Sequence, residues 1–329
     1  MPGGAPAVLE QPQKADGDGS RPVLVTGAAG LVGAAVCREL TSRGWKVRAL
    51  VRDPHKAAAV LADLAVEVRT GDVRDHRALR SATDGTGTVI HLAAIAIERR
   101  GQSYEDVNTG GTGNLLDAAR ACGARRFVFM SQNGASPESP SRFLRSKGLA
   151  EQMVRTSGLE WTAFRPSVIF GPEDEFANVL ARLVRLSPGA LPLPDGGRAR
   201  FQPIAVRDVA RAVGTALVRS DTIGGAYPLG GPAPLSLREM TERVLLAMRA
   251  RRMIVNIPRR LLAPIVAVLQ RVLPNPPVTT SLLDLLGEDN VVPENALDYL
   301  GIEPTPFAPE ELEYLRRVTI RSALREMMR

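Results

Sequence analysis

Eight residues near the start of the chain, "TGAAGLVG" (Thr26–Gly33), constrain its fold more than any other stretch. They set Gly27, Gly30 and Gly33 at the spacing G-x-x-G-x-x-G, directly after the β-branched run "PVLV". Directly after them comes a stretch of helical periodicity that ends at Gly44. A strand that turns through small residues into a helix leaves the first helical N–H groups free. The backbone can then approach a pyrophosphate, which also meets the positive end of the helix dipole. Glycine spacing alone says little; its place between a strand and a helix at the head of the sheet gives it meaning.

From there the pattern alternates. "KVRALVR", "VEVRTGD", "GTVIHLAA", "RRFVFMS" and "LEWTAFRPS" read as strands, with "PHKAAAVLADL", "RDHRALRSA", "NTGGTGNLLDAARACG" and "KGLAEQMVRTSG" as helices between them. Short buried strands and helices in alternation predict an α/β fold, a doubly wound (Rossmann-type) parallel sheet covered on both faces. This dinucleotide-binding domain is expected over residues 21–165, with 206–219 returning to it. After Pro166 prolines and glycines become frequent and helices occur singly. Residues 166–320 are therefore expected to form a smaller, mixed lobe at the sheet's carboxyl edge, where ligands of such folds bind. Residues 1–20 carry Pro, Gly and Asp and no apolar centre, so they are expected as a disordered tail and not a signal peptide. Residues 321–329 are expected as a short second tail.

The 329 residues suffice for a sizeable core. A net charge of +7 suits an anionic partner, but the arginines are scattered and no dense basic run alternates with aromatics. Nucleic acid is not expected as a partner. Cys37 and Cys122 fall in apolar helical stretches and read as buried thiols, not a disulfide. His55, His76 and His91 lack the Cys or carboxylate neighbours of a metal site. No apolar run is long enough to cross a membrane. The cytoplasm is the expected location, with peripheral contact at the inner face of a membrane as the alternative.

"PRRLLAPIVAVLQRVLP" raises that alternative. It puts Leu261, Leu262, Ile265, Val268, Leu269, Val272 and Leu273 on one helical stripe, near Arg259, Arg260 and Arg271. One reading is a helix covering the core. The other is a surface helix over 258–273 that docks on a membrane or a protein partner.

The second strand ends "LVRDP". An acidic residue at its tip would bond the ribose 2′-hydroxyl of NAD(H); here Val51 holds the tip and Arg52 follows, a side chain suited to a 2′-phosphate. NADP(H) is favoured and NAD(H) remains open, the alternative for Arg52 being a solvated arginine partnered by Asp53. "GDV" (Gly71–Val73) and "HLAA" (His91–Ala94) follow the third and fourth strands, where adenine and its ribose would lie. Further on, "SRFLRSKGLAEQ" (Ser141–Gln152) stands out, because only Lys14, Lys46, Lys56 and Lys147 of the 42 basic residues are lysine. Lys147 stands four residues after an aromatic, Phe143.

These motifs, with "VNTGGTGNLLDAA", "FVFMS", "FLRSK", "FRPSVIFGP" and "FQPIAVRDVA", run in order from Val23 to Ala210. They resemble the short-chain dehydrogenase/reductase superfamily in its extended and atypical branches. "RPSVIFGPEDEFANVLARL", "GGRARFQPIAVRDVA" and "DNVVPENALDYLGIEPT" are most similar to the group of the nucleotide-binding accessory subunit of respiratory complex I and its bacterial relatives. The resemblance implies that Gly27, Gly30 and Gly33, with Leu31 and Val32, hold the pyrophosphate and that Arg52 holds the 2′-phosphate. It implies Asp72 and Val73 at the adenine, Ala93 and Ala94 beside the adenosine ribose, and Lys147 on the nicotinamide ribose. Pro166 and Val168 would border the carboxamide, and Asn108 would support Lys147 through water.

In active members a tyrosine four residues before that lysine moves a proton as hydride moves. Phe143 has no hydroxyl, and losing a positioned acid or base typically costs about 10²–10⁴-fold in rate. Ser131, or a neighbour in "MSQNGASP", would be the assisting serine. Two functions follow as expectations. The first is an NADP(H)-binding structural, assembly or redox-sensing component, partnered by a respiratory-chain complex. The second is an atypical NAD(P)-dependent reductase, epimerase or dehydratase acting on a small or isoprenoid-like substrate. It would use Tyr104, Ser131, a water or a residue of the second lobe as its acid.

Overall fold

Short apolar runs become strands and longer periodic stretches become helices, in unbroken alternation through the first half of the chain. The computed structural model describes residues 21–98 and 101–328; the expected tail over 1–20 lies outside them. The first half runs β1 (Val23–Thr26), α1 (Leu31–Ser42), β2 (Val47–Val51), α2 (Pro54–Val60), β3 (Val66–Thr70), α3 (His76–Thr83) and β4 (Thr88–His91). It continues with α4 (Gly111–Ala121), β5 (Arg126–Met130), α5 (Arg142–Arg155) and β6 (Glu160–Pro166). Then come β7 (Ile169–Phe170), α6 (Ala177–Leu186), β8 (Ala190–Pro194), β9 (Arg200–Phe201), β10 (Ile204–Ala205) and α7 (Val206–Val218). The chain closes with β11 (Gly225–Leu229), β12 (Leu235–Ser236), α8 (Leu237–Ala247), β13 (Met253–Ile257), α9 (Arg259–Val272), α10 (Thr280–Leu285), α11 (Ala296–Tyr299) and α12 (Ile320–Met327).

Seven strands form one sheet in the order β11-β6-β5-β4-β1-β2-β3, every neighbouring pair parallel. The order reverses between β1 and β4, so a crevice opens at their carboxyl ends. Val36, Cys37 and Leu40 of α1 pack with Val209 and Val213 of α7 on one face. Leu79 of α3, Leu115 of α4 and Val154 of α5 cover the other. A separate core holds α6, α8 and Phe307 together. Among the described residues both cysteines are free. Burial drives the Cys37 thiol up to about 12, whereas Cys122 is half-buried and donates to the Ala119 carbonyl.

Four segments differ from the sequence reading, the first being β11, expected in the second lobe but paired with β6 at the edge of the main sheet because its backbone continues the parallel ladder there. Helix α2 stops at Val60, short of the expected "ADL"; its start is fixed by Asp53, which accepts from the His55 and Lys56 amides. The segment expected as a tail forms α12, which Thr319 and Ser322 close with a reciprocal cap and which buries Ala323. Helix α9 does not cover the core, since Val266 alone of its residues is buried.

Arg126 ties this frame together at the amino end of β5. Its buried guanidinium donates to the carbonyls of Glu160 (2.7 Å) and Ala216 (3.0 Å) and to the hydroxyls of Thr162 (2.6 Å) and Thr222 (3.1 Å). Burial lowers its pKa to about 10, which still leaves it charged at neutral pH. Arg126→Ala would remove four charge-assisted hydrogen bonds from the core, each worth about 1.5–3 kcal/mol. A loss of at least about 3 kcal/mol is expected, measured as the shift in denaturant midpoint; a shift below about 1 kcal/mol contradicts the role.

Candidate functional site

Two glycines make the turn between β1 and α1 possible. Gly27 sits at φ +69°, and a Cβ there would lie 2.8 Å from the Ala93 amide nitrogen. A Cβ on Gly33 would lie 2.1 Å from the Gly27 carbonyl oxygen. Real side chains do not approach so closely, so helix and turn touch only because position 33 is bare. Gly30 precedes α1 without a side-chain cap, and no acidic residue stands in the first turn. The positive end of the helix is thus left for an external anion.

This turn floors a cleft of about 230 Å³ over the carboxyl ends of β1–β4. The cleft gathers Gly27, Gly30, Arg52, Asp72, Val73, Ala93 and Ala94, all named from the sequence. Leu31 and Val32 open α1 beside it, and Gly33 lies beneath, against Gly27. The sequence reading missed Lys56, which lines the same cleft next to Arg52; its signal was its rarity. Arg52 is exposed and reaches Gln102 Oε1 at 3.3 Å. Asp53, the alternative partner for Arg52, instead caps α2. Asp72 is held below the usual carboxylate range by its bonds from Arg74 and the nearby charge of Arg52. This end of the cleft is therefore cation-lined.

The other expected residues lie outside that cleft, around the carboxyl ends of β4, β5 and β6. Lys147 is 5% exposed. Its ammonium donates to the Met130 carbonyl and sits 4.6 Å from the centre of the Phe129 ring. Burial pulls its pKa down to about 8, against an upward pull from Glu151. His91 beneath is held by Thr26 Oγ1 (2.7 Å) and Thr112 Oγ1 (3.0 Å). Burial, with the Lys147 charge added, lowers its pKa to about 3, so it stays neutral. Asn108 lies in a π-helical turn over Glu105–Gly110. It bonds the Ile95 amide (2.9 Å), the Ile95 carbonyl (3.1 Å) and Ser146 Oγ (3.0 Å), fixing the residue next to Lys147. Pro166 ends β6, and Val168 follows two residues on, half-buried against the second lobe's core.

The hydroxyls considered as acids are spent inside the fold. Ser131 Oγ donates to Glu151 Oε2 at 2.6 Å. Burial alone would raise the Glu151 pKa, but bonds from Arg165 and Ser131 outweigh it and hold it low. Tyr104 is buried, donates to the Ala96 carbonyl at 2.9 Å, and has its pKa raised by that burial. Its ring packs 5.7 Å from that of Phe143.

Comparison with known proteins gives three kinds of match. A family described as NAD(P)H-binding matches residues 27–220. The mitochondrial NADH dehydrogenase (ubiquinone) 1 alpha subcomplex subunit 9 of Arabidopsis thaliana is 31% identical over 296 residues, 86% of this chain and 73% of that protein. Ceramide reductase of Caulobacter vibrioides is 36% identical over 203 residues, 61% of this chain and 62% of that protein. The solved structure of Thermus thermophilus UDP-glucose 4-epimerase in complex with NAD shares the fold at a TM-score of 0.67. It has 23% identity and covers 92% of this chain and 99% of that one.

The buried lysine makes a signed prediction. Below pH 8 both folded and unfolded chains carry the Lys147 proton, and folding bears the full cost of burying the charge. Between about 8 and the ordinary value of 10.5 the folded chain releases that proton first, so stability rises with pH. In dinucleotide-free protein the melting temperature of the wild type should gain on that of Lys147→Met as pH rises from about 8 to about 10. A constant difference contradicts a buried ammonium.

Proposed function

This chain belongs to the NAD(P)H-binding family, in the group of the complex I accessory subunit, and from that premise we propose that it holds a phosphorylated nicotinamide dinucleotide without the usual proton route for turning it over. One observation carries the reading. Phe143 stands where the resemblance puts the tyrosine, and Ser131 and Tyr104 are both bonded elsewhere.

In this reading the α1 amino end with Gly27, Gly30, Leu31 and Val32 takes the pyrophosphate. Arg52 and Lys56 together take the 2′-phosphate, favouring NADP(H) over NAD(H). Asp72 and Val73 flank the adenine, and Ala93 and Ala94 its ribose. Lys147, set in place by the bond from Asn108 to Ser146, exchanges the Met130 carbonyl for the nicotinamide ribose, and Pro166 and Val168 border the carboxamide. Residues 21–165 with 206–219 and β11 (Gly225–Leu229), which extends the same sheet beside β6, form the nucleotide unit, and the rest of 166–320 the lobe beside it. Bound dinucleotide supplies a hydride donor or acceptor, and it stabilises the native state by about 2.7 kcal/mol at a hundredfold excess over its Kd. The protein serves as a structural, assembly or redox-sensing partner of a respiratory-chain complex, peripheral at the inner face of a membrane.

A second reading, a reductase, epimerase or dehydratase acting on a small or isoprenoid-like substrate, is favoured by the likeness to ceramide reductase. Turnover separates the two. Purified protein with NADPH and a panel of carbonyls and quinones should oxidise no cofactor above background, and Phe143→Tyr should raise any residual rate by about 10²-fold or more. Brisk, specific oxidation by the wild type establishes the second reading and overturns the first.

A further inference from the structure

Helix α9 turns its apolar side to solvent. Leu261, Ile265, Val268 and Val272 fall on one stripe and are 57–71% exposed. Left in water, a contiguous apolar stripe marks a contact site. Arg260 and Arg271 are exposed on one flank of the stripe, about 100° round the helix. Helix α12 repeats the pattern: Ile320, Leu324 and Met328 stand four residues apart at 49–68% exposure. Arg321 and Arg325, one position on, are exposed as well. The two helices meet at their carboxyl ends, where Asn275 donates to the Met327 carbonyl (3.2 Å) and the Glu326 carbonyl (3.0 Å).

Charge decides what covers this face. From Arg243 to Leu283 the chain carries seven arginines and no Asp or Glu. Arg252 of that set bonds backbone carbonyls, which leaves its charge unneutralised, whereas Arg243 stands near Glu239 and Arg259 faces Asp284 of α10 at 3.9 Å. Two such faces would repel each other, which disfavours a second copy. Among the described residues no helix is long and apolar enough to cross a membrane. An apolar stripe with flanking arginines suits the plane of anionic head groups: the stripe enters the acyl boundary and the guanidiniums reach phosphates.

We propose that α9 and α12 form one docking face for an anionic lipid surface, on which the protein lies without spanning. This rests on the peripheral placement proposed above, and not on the dinucleotide. The test is co-sedimentation of the full chain with vesicles of phosphatidylcholine alone or with about one-third phosphatidylglycerol. Wild type should sediment with the anionic vesicles and not the neutral ones, and added salt should release it. Arg260→Gln with Arg271→Gln should weaken binding about twentyfold or more, and Ile265→Ser with Val268→Ser should weaken it comparably. The altered side chains are solvent-exposed, so melting temperature and NADPH affinity should match the wild type. That match separates a failure here from a failure of the dinucleotide reading. Wild type left in the supernatant, equal binding to neutral vesicles, or variants that bind like wild type would each overturn the proposal. So would self-association abolished by the same substitutions, which would assign the face to a second copy.

Discussion

A missing side chain at position 33 governs the whole arrangement. Because Gly33 offers no Cβ to the Gly27 carbonyl, α1 seats directly on the end of β1 and aims its amino terminus over the sheet. Gly27 meets Ala93 just as closely, so the same turn is keyed to the end of β4. The strand order reverses between those two strands, and the crevice opens there. A methyl group at either position would push apart the elements that define the site.

Electrostatics then divide the carboxyl edge into two ends. Arg52 and Lys56 stand at the end beyond β2, while the nearest carboxylates have other work: Asp53 caps α2 and Asp72 is paired with Arg74. At the far end Lys147 is buried beside a neutral His91 and an aromatic ring. An ammonium so placed meets a carbonyl and a π face in place of water, with the Glu151 charge too weak to offset the burial that lowers its pKa. A polyhydroxylated ribose would give it better acceptors.

The frame was legible because its signals are local. Strand–turn–helix order, the glycine spacing and the tip residues of β2 follow from neighbours in sequence, and most of the residues expected at the adenosine line one cleft. What depended on distant packing was not legible. Whether α9 faced inward or outward turned on α10 covering one side of it, which periodicity does not encode. Ser131 looked available as a hydroxyl beside the strand, yet Glu151, from the far part of α5, claims it. Lys56 was visible only as a rare lysine, since the turn that brings it to the cleft depends on the Asp53 cap. The helical character of α12 rested on a Thr–Ser cap too small to register against a short, charged C-terminal run.

The central claim is that the cleft selects a phosphorylated dinucleotide through Arg52 and Lys56. Calorimetric titration of dinucleotide-free protein with NADPH and with NADH tests it most directly, with Arg52→Ala/Lys56→Ala beside the wild type. Charge-assisted bonds of about 1.5–3 kcal/mol predict NADPH binding at least tenfold tighter than NADH in the wild type, a preference the double variant loses while still binding NADH. Equal affinity for both ligands in the wild type, or no heat with either, would contradict the account.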